Sequence, residues 1–152
     1  MRIYGDTRSG NCYKLQLLLS LLGKTCEWID VDIMKGETRA PSFLEKTPNG
    51  KIPLLELDDG RVLSESNAIM HYLASNTPLI PSSPYSFSQL LQWQFFEQYS
   101  HEPYIAVARY INVYLGLPED RKAEYESKQA GGYRALAVMA VSYTHLRAHE
   151  TR

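Results

Sequence analysis

The 152-residue chain is poor in sulfur, with two cysteines, Cys12 and Cys26, and four methionines. Two thiols exclude a disulfide framework and a four-thiolate metal centre. Such sparing use fits a reducing compartment, and a cytoplasmic protein is expected. No charge of either sign is in surplus: 16 Lys and Arg stand against 17 Asp and Glu, for a formal net charge of −1. The balance holds along the sequence, with 9 basic and 10 acidic side chains in 1–80 and 7 of each in 81–152. Nucleic acid is therefore not an expected partner, because phosphate binding needs concentrated positive charge. No apolar run approaches the ~20 residues that span a bilayer, so no membrane partner is expected. The start, Met1-Arg2-Ile3-Tyr4-Gly5-Asp6, is polar by its fifth residue and does not read as a signal peptide. Internal repeats and low-complexity runs are missing as well.

What is present falls into two parts. Pro78, Pro81 and Pro84 with Ser82 and Ser83 mark a linker over 77–86. Before it, Arg2–Tyr4 reads as a strand. Leu15, Leu18, Leu19 and Leu22 then recur at i, i+3, i+4 and i+7, one face of a helix, with Gly23 as its stop. Glu27–Asp32 alternates as a second strand, and a short helix over Pro41–Lys46 follows. Ile52–Leu57 and Arg61–Leu63 flank Asp58-Asp59-Gly60, a hairpin signal. Ser66 or Asn67 caps a third helix that runs to about Ser75. The order βαβαββα over 1–76 is the thioredoxin-like pattern, an α/β domain. After the linker, 87–140 reads as an all-helical part. Phe87–Tyr114 is broken or bent near Pro103, and Pro118–Val141 is weakened at Gly131-Gly132.

Three short motifs carry chemistry. Thr7-Arg8-Ser9-Gly10-Asn11-Cys12 leads into a helix N-terminus, where unpaired N–H groups favour an anion. Ser9 and Cys12 have the spacing of a redox pair with its first cysteine replaced, so dithiol exchange is lost. A hydroxyl or amide there can hydrogen-bond a thiolate brought by another molecule and lower its pKa. Equally, Ser9 and Asn11 suit helix caps and Cys12 a small buried residue. In Asn49-Gly50-Lys51-Ile52-Pro53, a cis bond at Ile52–Pro53 would turn the Ile52 backbone outward for an extended peptide. In Ser64-Glu65-Ser66-Asn67, Ser66 suits a carboxylate and Glu65 an ammonium group, the charged head of an amino acid. A plain cap beside a solvated Glu65 fits the same residues.

Tyr4-Gly5-Asp6 through Ser9-Gly10-Asn11-Cys12-Tyr13-Lys14-Leu15, then Asn49-Gly50-Lys51-Ile52-Pro53-Leu54-Leu55, then Glu65-Ser66-Asn67-Ala68-Ile69 resembles a bacterial-type cytosolic glutathione S-transferase. The likeness continues through Gln92-Trp93-Gln94-Phe95-Phe96-Glu97 to about Met139. It implies glutathione as co-substrate and no metal. Its thiol would be activated by Ser9 first, Asn11 second and Cys12 third. Ile52 before Pro53 would meet the cysteinyl unit, Glu65 and Ser66 the γ-glutamyl head, and Lys51 and Arg39 the glycine carboxylate. The resemblance further implies attack on small hydrophobic electrophiles, or reduction of peroxides or disulfides, and a homodimer in the full-length form. Tyr99, Tyr104, Ala108 and Ile111 are candidate electrophile contacts, though each also suits helix packing.

The sequence departs from that pattern after Met139. Further helices expected of the family are lacking, so a truncated helical domain is expected, with apolar surface left bare. Residues 141–152 resemble no part of the family and read as a translated sequencing adapter, hence as a non-native tail. His145 and His149 are one helical turn apart, but without a third ligand no metal site is expected. Two other readings stay open: a non-catalytic module of this fold that binds protein partners, and a thiol–disulfide oxidoreductase built on Cys12.

Overall fold

A computed structural model describes residues 1–150, and for 144–150 it describes only the helical backbone. The side chains of His145, His149 and Glu150 thus lie outside the described part. The molecule divides into two compact units, the first ending at Ser82 and the second beginning at Ser83.

The first unit is built on a sheet of four short strands, β1 (Arg2–Gly5), β2 (Glu27–Asp30), β3 (Leu54–Glu56) and β4 (Val62–Ser64), in the order β2-β1-β3-β4. β1 and β2 run parallel, joined by helix α1 (Gly10–Leu22), while β1–β3 and β3–β4 are antiparallel. α1 ends as its sequence dictates. Gly23 adopts the left-handed conformation, its N–H meets Ser20 O at 3.2 Å, and Lys24 N–H meets Leu19 O at 3.0 Å. The loop Asp58-Asp59-Gly60 closes the β3–β4 hairpin, with Leu57 N–H on Arg61 O at 2.8 Å.

Alternation along the strands divides the core. Ile3, Leu55 and Leu57 point to one face, where they meet Leu15, Leu18 and Leu19 of α1 and Ile69, Leu73 and Ala74 of α3 (Ser66–Ala74). Leu54 and Tyr4 point to the other face, against Val31 and Phe43 of the single-turn α2 (Pro41–Leu44). Each fully buried Leu or Ile contributes about 1.5–3 kcal/mol, so the α1/α3 face supplies most of the stability. This βαβαββα layout is the expected thioredoxin-like fold. Several boundaries differ. β2 ends at Asp30 and not at Asp32, β3 keeps only Leu54–Glu56 of the expected Ile52–Leu57, and β4 is Val62–Ser64 and not Arg61–Leu63. α2 stops at Leu44 and not at Lys46, and Ser66 is the first residue of α3 while Glu65 takes the cap position.

The second unit is helical: α4 (Pro84–Phe96), α5 (Glu102–Arg109) and α6 (Lys122–Glu150). α4 starts three residues before the expected Phe87, because the fixed φ and missing N–H of Pro84 suit a first helical turn. The expected break near Pro103 is a wide π turn, Glu97–His101, which leads from α4 into α5 where Pro103 lacks an N–H to donate. A second π turn, Tyr110–Tyr114, follows α5.

Gly131 and Gly132 do not weaken α6 into a break. A Cβ on Gly131 would lie 2.3 Å from two carbons of the Tyr104 ring, and one on Gly132 would lie 2.8 Å from Ile105 Cδ1. The two glycines are the recess into which α5 packs, and that packing outweighs the ~1 kcal/mol that glycine costs a helix.

Candidate active site

The strand register brings the three motifs to one edge of the first unit. Tyr4 pairs with Leu54, and Leu54 with Ser64. The residues that follow β1, precede β3 and follow β4 therefore share one end of the sheet. These are the Asp6–Ser9 turn, Ile52-Pro53 and Glu65-Ser66.

At the first, Ser9 is the N-cap of α1, and its hydroxyl accepts the Cys12 N–H at 3.4 Å. Ser9 and Asn11 are half-buried, while Cys12 is fully buried. The Cys12 sulfur points back toward β1, where a Cβ on Gly5 would come within 2.9 Å of it. Burial pushes the Cys12 thiol up; the nearby Ser9 hydroxyl and Asp6 backbone N–H pull the other way without offsetting it.

At the second, the Ile52–Pro53 peptide bond is cis. Among the described residues, neither the N–H nor the C=O of Ile52 is hydrogen-bonded. Gly50 just before it is wedged at a positive φ of 58°, and a Cβ there would meet Thr38 O at 2.9 Å and Arg39 Nη1 at 3.0 Å. The Arg39 guanidinium thus lies against the turn that carries Lys51. Both side chains are exposed, and among the described residues neither makes an ion pair.

At the third, Ser66 is buried at the start of α3, and its hydroxyl donates to Asn11 Oδ1 at 3.3 Å. Lys14 Nζ reaches Asn67 Oδ1 at 3.5 Å. The starts of α1 and α3 are thereby cross-linked. Glu65 is exposed and sits at φ 68°, ψ 112°, a conformation sparsely populated outside glycine. Such strain persists only where neighbouring structure enforces it, and it marks a side chain held out from the helix start.

The remaining candidates belong to the helical unit. Tyr99 lies in the first π turn and is 85% exposed. Tyr104 and Ala108, one turn apart on α5, are half-buried, and the Tyr104 ring faces Gly131 of α6. Ile111 is fully buried. No group of three or more His, Cys, Asp or Glu placed to hold a metal ion occurs among the described residues.

Two residues of the site, Asp6 and Arg8, were not singled out by sequence reasoning. Asp6 is buried, and its carboxylate accepts the Arg8 backbone N–H at 2.8 Å, Nε at 3.0 Å and Nη2 at 2.7 Å. An Asp at a strand end with Arg two residues later is the signal that could have shown it.

Residues 3–85 match the family described as glutathione S-transferase, N-terminal domain. The chain belongs to that family. A glutathione S-transferase from Pseudomonas fluorescens Pf-5 is 59% identical; it superposes with a TM-score of 0.88 over 91% of this chain and 69% of its own. The glutathione transferase URE2P6 from Phanerochaete chrysosporium, solved in complex with oxidized glutathione, is 31% identical, with a TM-score of 0.78 over 91% of this chain and 65% of its own. Elongation factor 1-gamma from Danio rerio is 39% identical over 105 residues, 68% of this chain. The sequence spans 23% of that relative's length. The glutathione S-transferase fold is thus matched both in sequence and in shape, across the sheet unit and into the helices.

Proposed function

We propose that the protein binds glutathione along the edge formed by its three motifs and activates the bound thiol. The observation that carries this reading is the convergence of three ligand-type groups at one end of one sheet. The acidic Glu65 and the buried Ser66 suit the ammonium and carboxylate of the γ-glutamyl head. The unpaired backbone of Ile52 suits the cysteinyl unit, as an added strand would pair. Arg39 and Lys51, without ion-pair partners among the described residues, suit the glycine carboxylate. The oxidized glutathione held by the Phanerochaete protein supports the same ligand.

The thiol then falls at the start of α1. A hydroxyl donating to sulfur, helped by the helix dipole, favours thiolate over thiol. Ser9 takes this role first. Asn11, already engaged with Ser66, takes it second. Cys12 is the weakest candidate, since its sulfur points back toward β1 and burial pushes its thiol up, away from thiolate. The same burial counts against a Cys12-based oxidoreductase. The thiolate attacks a small hydrophobic electrophile, or reduces a peroxide or disulfide. In the helical unit Tyr99 and Ala108 remain the proposed electrophile contacts, while the Tyr104 ring is already taken up by α6. A cytoplasmic homodimer completes the proposal.

A second reading, a non-catalytic protein-interaction module of the same fold, stays open because the chain is also similar to elongation factor 1-gamma, a protein not named as a transferase. Calorimetric titration with glutathione separates the two. The transferase reading expects saturable binding and a bound thiol about one pKa unit or more below that of free glutathione, ten-fold in thiolate. Ser9→Ala should remove most of that shift. No glutathione binding would leave the interaction module standing.

A further inference from the structure

We infer that Asp6 and Arg8 are positioning residues, a clasp that fixes the Thr7–Ser9 turn so that the Ser9 hydroxyl is presented to the bound thiol. The inference rests on the glutathione reading above and adds the groups that hold its principal hydroxyl in place.

Three separate parts of the turn are tied to Asp6. Its backbone carbonyl accepts the Ser9 N–H at 2.9 Å. Its carboxylate accepts the Arg8 backbone N–H at 2.8 Å. The same carboxylate holds the Arg8 guanidinium by two prongs, Nε at 3.0 Å and Nη2 at 2.7 Å. A single residue therefore sets the backbone path from the end of β1 to the cap of α1. Asp6 is itself fixed from behind, because the strand residue before it, Gly5, lies close against the Trp28 ring and the Cys12 sulfur.

The arrangement is asymmetric in a way that suits a clasp. The Asp6 side chain is 5% exposed and that of Arg8 is 52% exposed. A buried carboxylate without its counter-charge is strongly unfavourable, so the guanidinium is held in place by what it neutralises. The same Arg8 Nη2 also lies 3.6 Å from Asp32 Oδ1. Asp32 opens the turn after β2 and is held independently, accepting N–H groups from Met34 at 2.9 Å and Lys35 at 3.3 Å. The Ser9 turn is thus moored to the neighbouring strand's exit as well as to its own.

Small displacements matter here. A hydrogen bond to sulfur weakens steeply with angle, and a misplacement of about 1 Å can cost a hundred-fold in an activated site. The clasp belongs to the turn between β1 and α1, whereas the proposed ligand groups of Glu65, Ser66, Ile52 and Arg39 are carried by other turns. Its loss should therefore act on the thiol and spare the rest of the tripeptide.

The test compares glutathione with S-methylglutathione, which has no ionisable thiol, on the full-length protein. Arg8→Gln is the first variant, because its amide can still donate a hydrogen bond to the buried Asp6 carboxylate and leaves that group better satisfied than a truncation would. Asp6→Asn is the second. Calorimetry gives both affinities, and ultraviolet titration of the thiolate gives the bound thiol's pKa. The expected result for Arg8→Gln is a thiol pKa that moves back toward that of free glutathione, a loss of up to about ten-fold in thiolate per unit, with S-methylglutathione affinity unchanged. Arg8→Lys, which offers one charged prong in place of two, should restore only part of the shift. An unchanged thiol pKa in Arg8→Gln overturns the clasp and leaves the glutathione reading intact. A parallel loss of both affinities together with a lowered unfolding temperature also overturns it, since that marks a merely structural pair. If the parent protein binds neither ligand, the glutathione reading fails and the clasp falls with it.

Discussion

Replacing Gly50 by alanine probes both the fold and the proposed carboxylate end of the site. Two effects add. The first is conformational: at φ +58° an L residue adopts the left-handed region at a cost of about 1–2 kcal/mol, partly offset by about 0.4–1 kcal/mol from a stiffer unfolded state. The second is steric. The new Cβ would stand 2.9 Å from the Thr38 carbonyl oxygen, 3.0 Å from Arg39 Nη1 and 3.0 Å from Leu44 Cδ2. The carbonyl belongs to a backbone that cannot swing aside, so this contact adds about 1–3 kcal/mol of overpacking. Gly36 is the internal control: its φ is +73° and nothing lies within 4 Å of an added Cβ. Gly36→Ala should therefore cost about 1 kcal/mol, and Gly50→Ala about 2–4 kcal/mol. In a unit of this size each kcal/mol moves Tm by about 4–8 °C. Urea unfolding followed by Trp28 fluorescence, in a Trp93→Phe background, measures both. Glutathione affinity should fall only in Gly50→Ala, because only there is Arg39 displaced. Equal destabilisation of the two variants, or an unaltered affinity in Gly50→Ala, would refute the reasoning.

Three further outcomes are expected. Glu65→Gly releases a strained φ of 68° while giving up the proposed ammonium partner; thermal unfolding should be unchanged or later, and glutathione affinity about ten-fold weaker, roughly 1.4 kcal/mol. Tight binding by that variant would remove Glu65 from the site. Glu56 is held below the usual carboxylate range by hydrogen bonds from Lys46 and Tyr4. A carboxylate with a depressed folded pKa stabilises above its unfolded pKa and loses that contribution as pH falls through the folded value. The stability gap between parent and Glu56→Gln should thus be full at neutral pH and close below about pH 4, in the acid range of a pH-dependent melt; a gap independent of pH would contradict the Lys46–Glu56 contact of 2.6 Å. Gly131→Ala gains about 1 kcal/mol of helix propensity but drives a Cβ into the Tyr104 ring. Helical circular dichroism should show a lower melting temperature, whereas the same Gly131→Ala change made in a Tyr104→Ala background should no longer lower it.

Much of the first unit was legible because local chemistry and tertiary need agree there. The leucine spacing of α1, its glycine stop and the Asp58-Asp59-Gly60 hairpin are each decided within a few residues. Of the candidate site, the sequence offered the residues whose type alone suggests a ligand, such as Ser9 and Glu65. What escaped depends on partners distant in sequence. Gly131-Gly132 reads as a helix weakness until Tyr104 and Ile105 are known to fill the recess. The π turn at Glu97–His101 has no sequence signature beyond Pro103. For Cys12 the sequence left a reactive thiol and a small buried residue both open, and only the packing against β1 decides for burial. Asp6 and Arg8 look like loop polarity, because nothing in their types says that one is buried and the other lies across it.

The sheet is unevenly clothed, with two helices on one side and a single turn around Phe43 on the other. The proposed binding edge straddles that imbalance. Its Ser9, Asn11 and Ser66 portion is bolted to the heavy side through α1 and α3, whereas Arg39 and Lys51 hang from the light side. A tripeptide lying across the edge would therefore brace the weaker flank against the stronger one. Occupancy of that edge would then be felt as stiffness in the flank around Phe43, away from the proposed position of the sulfur.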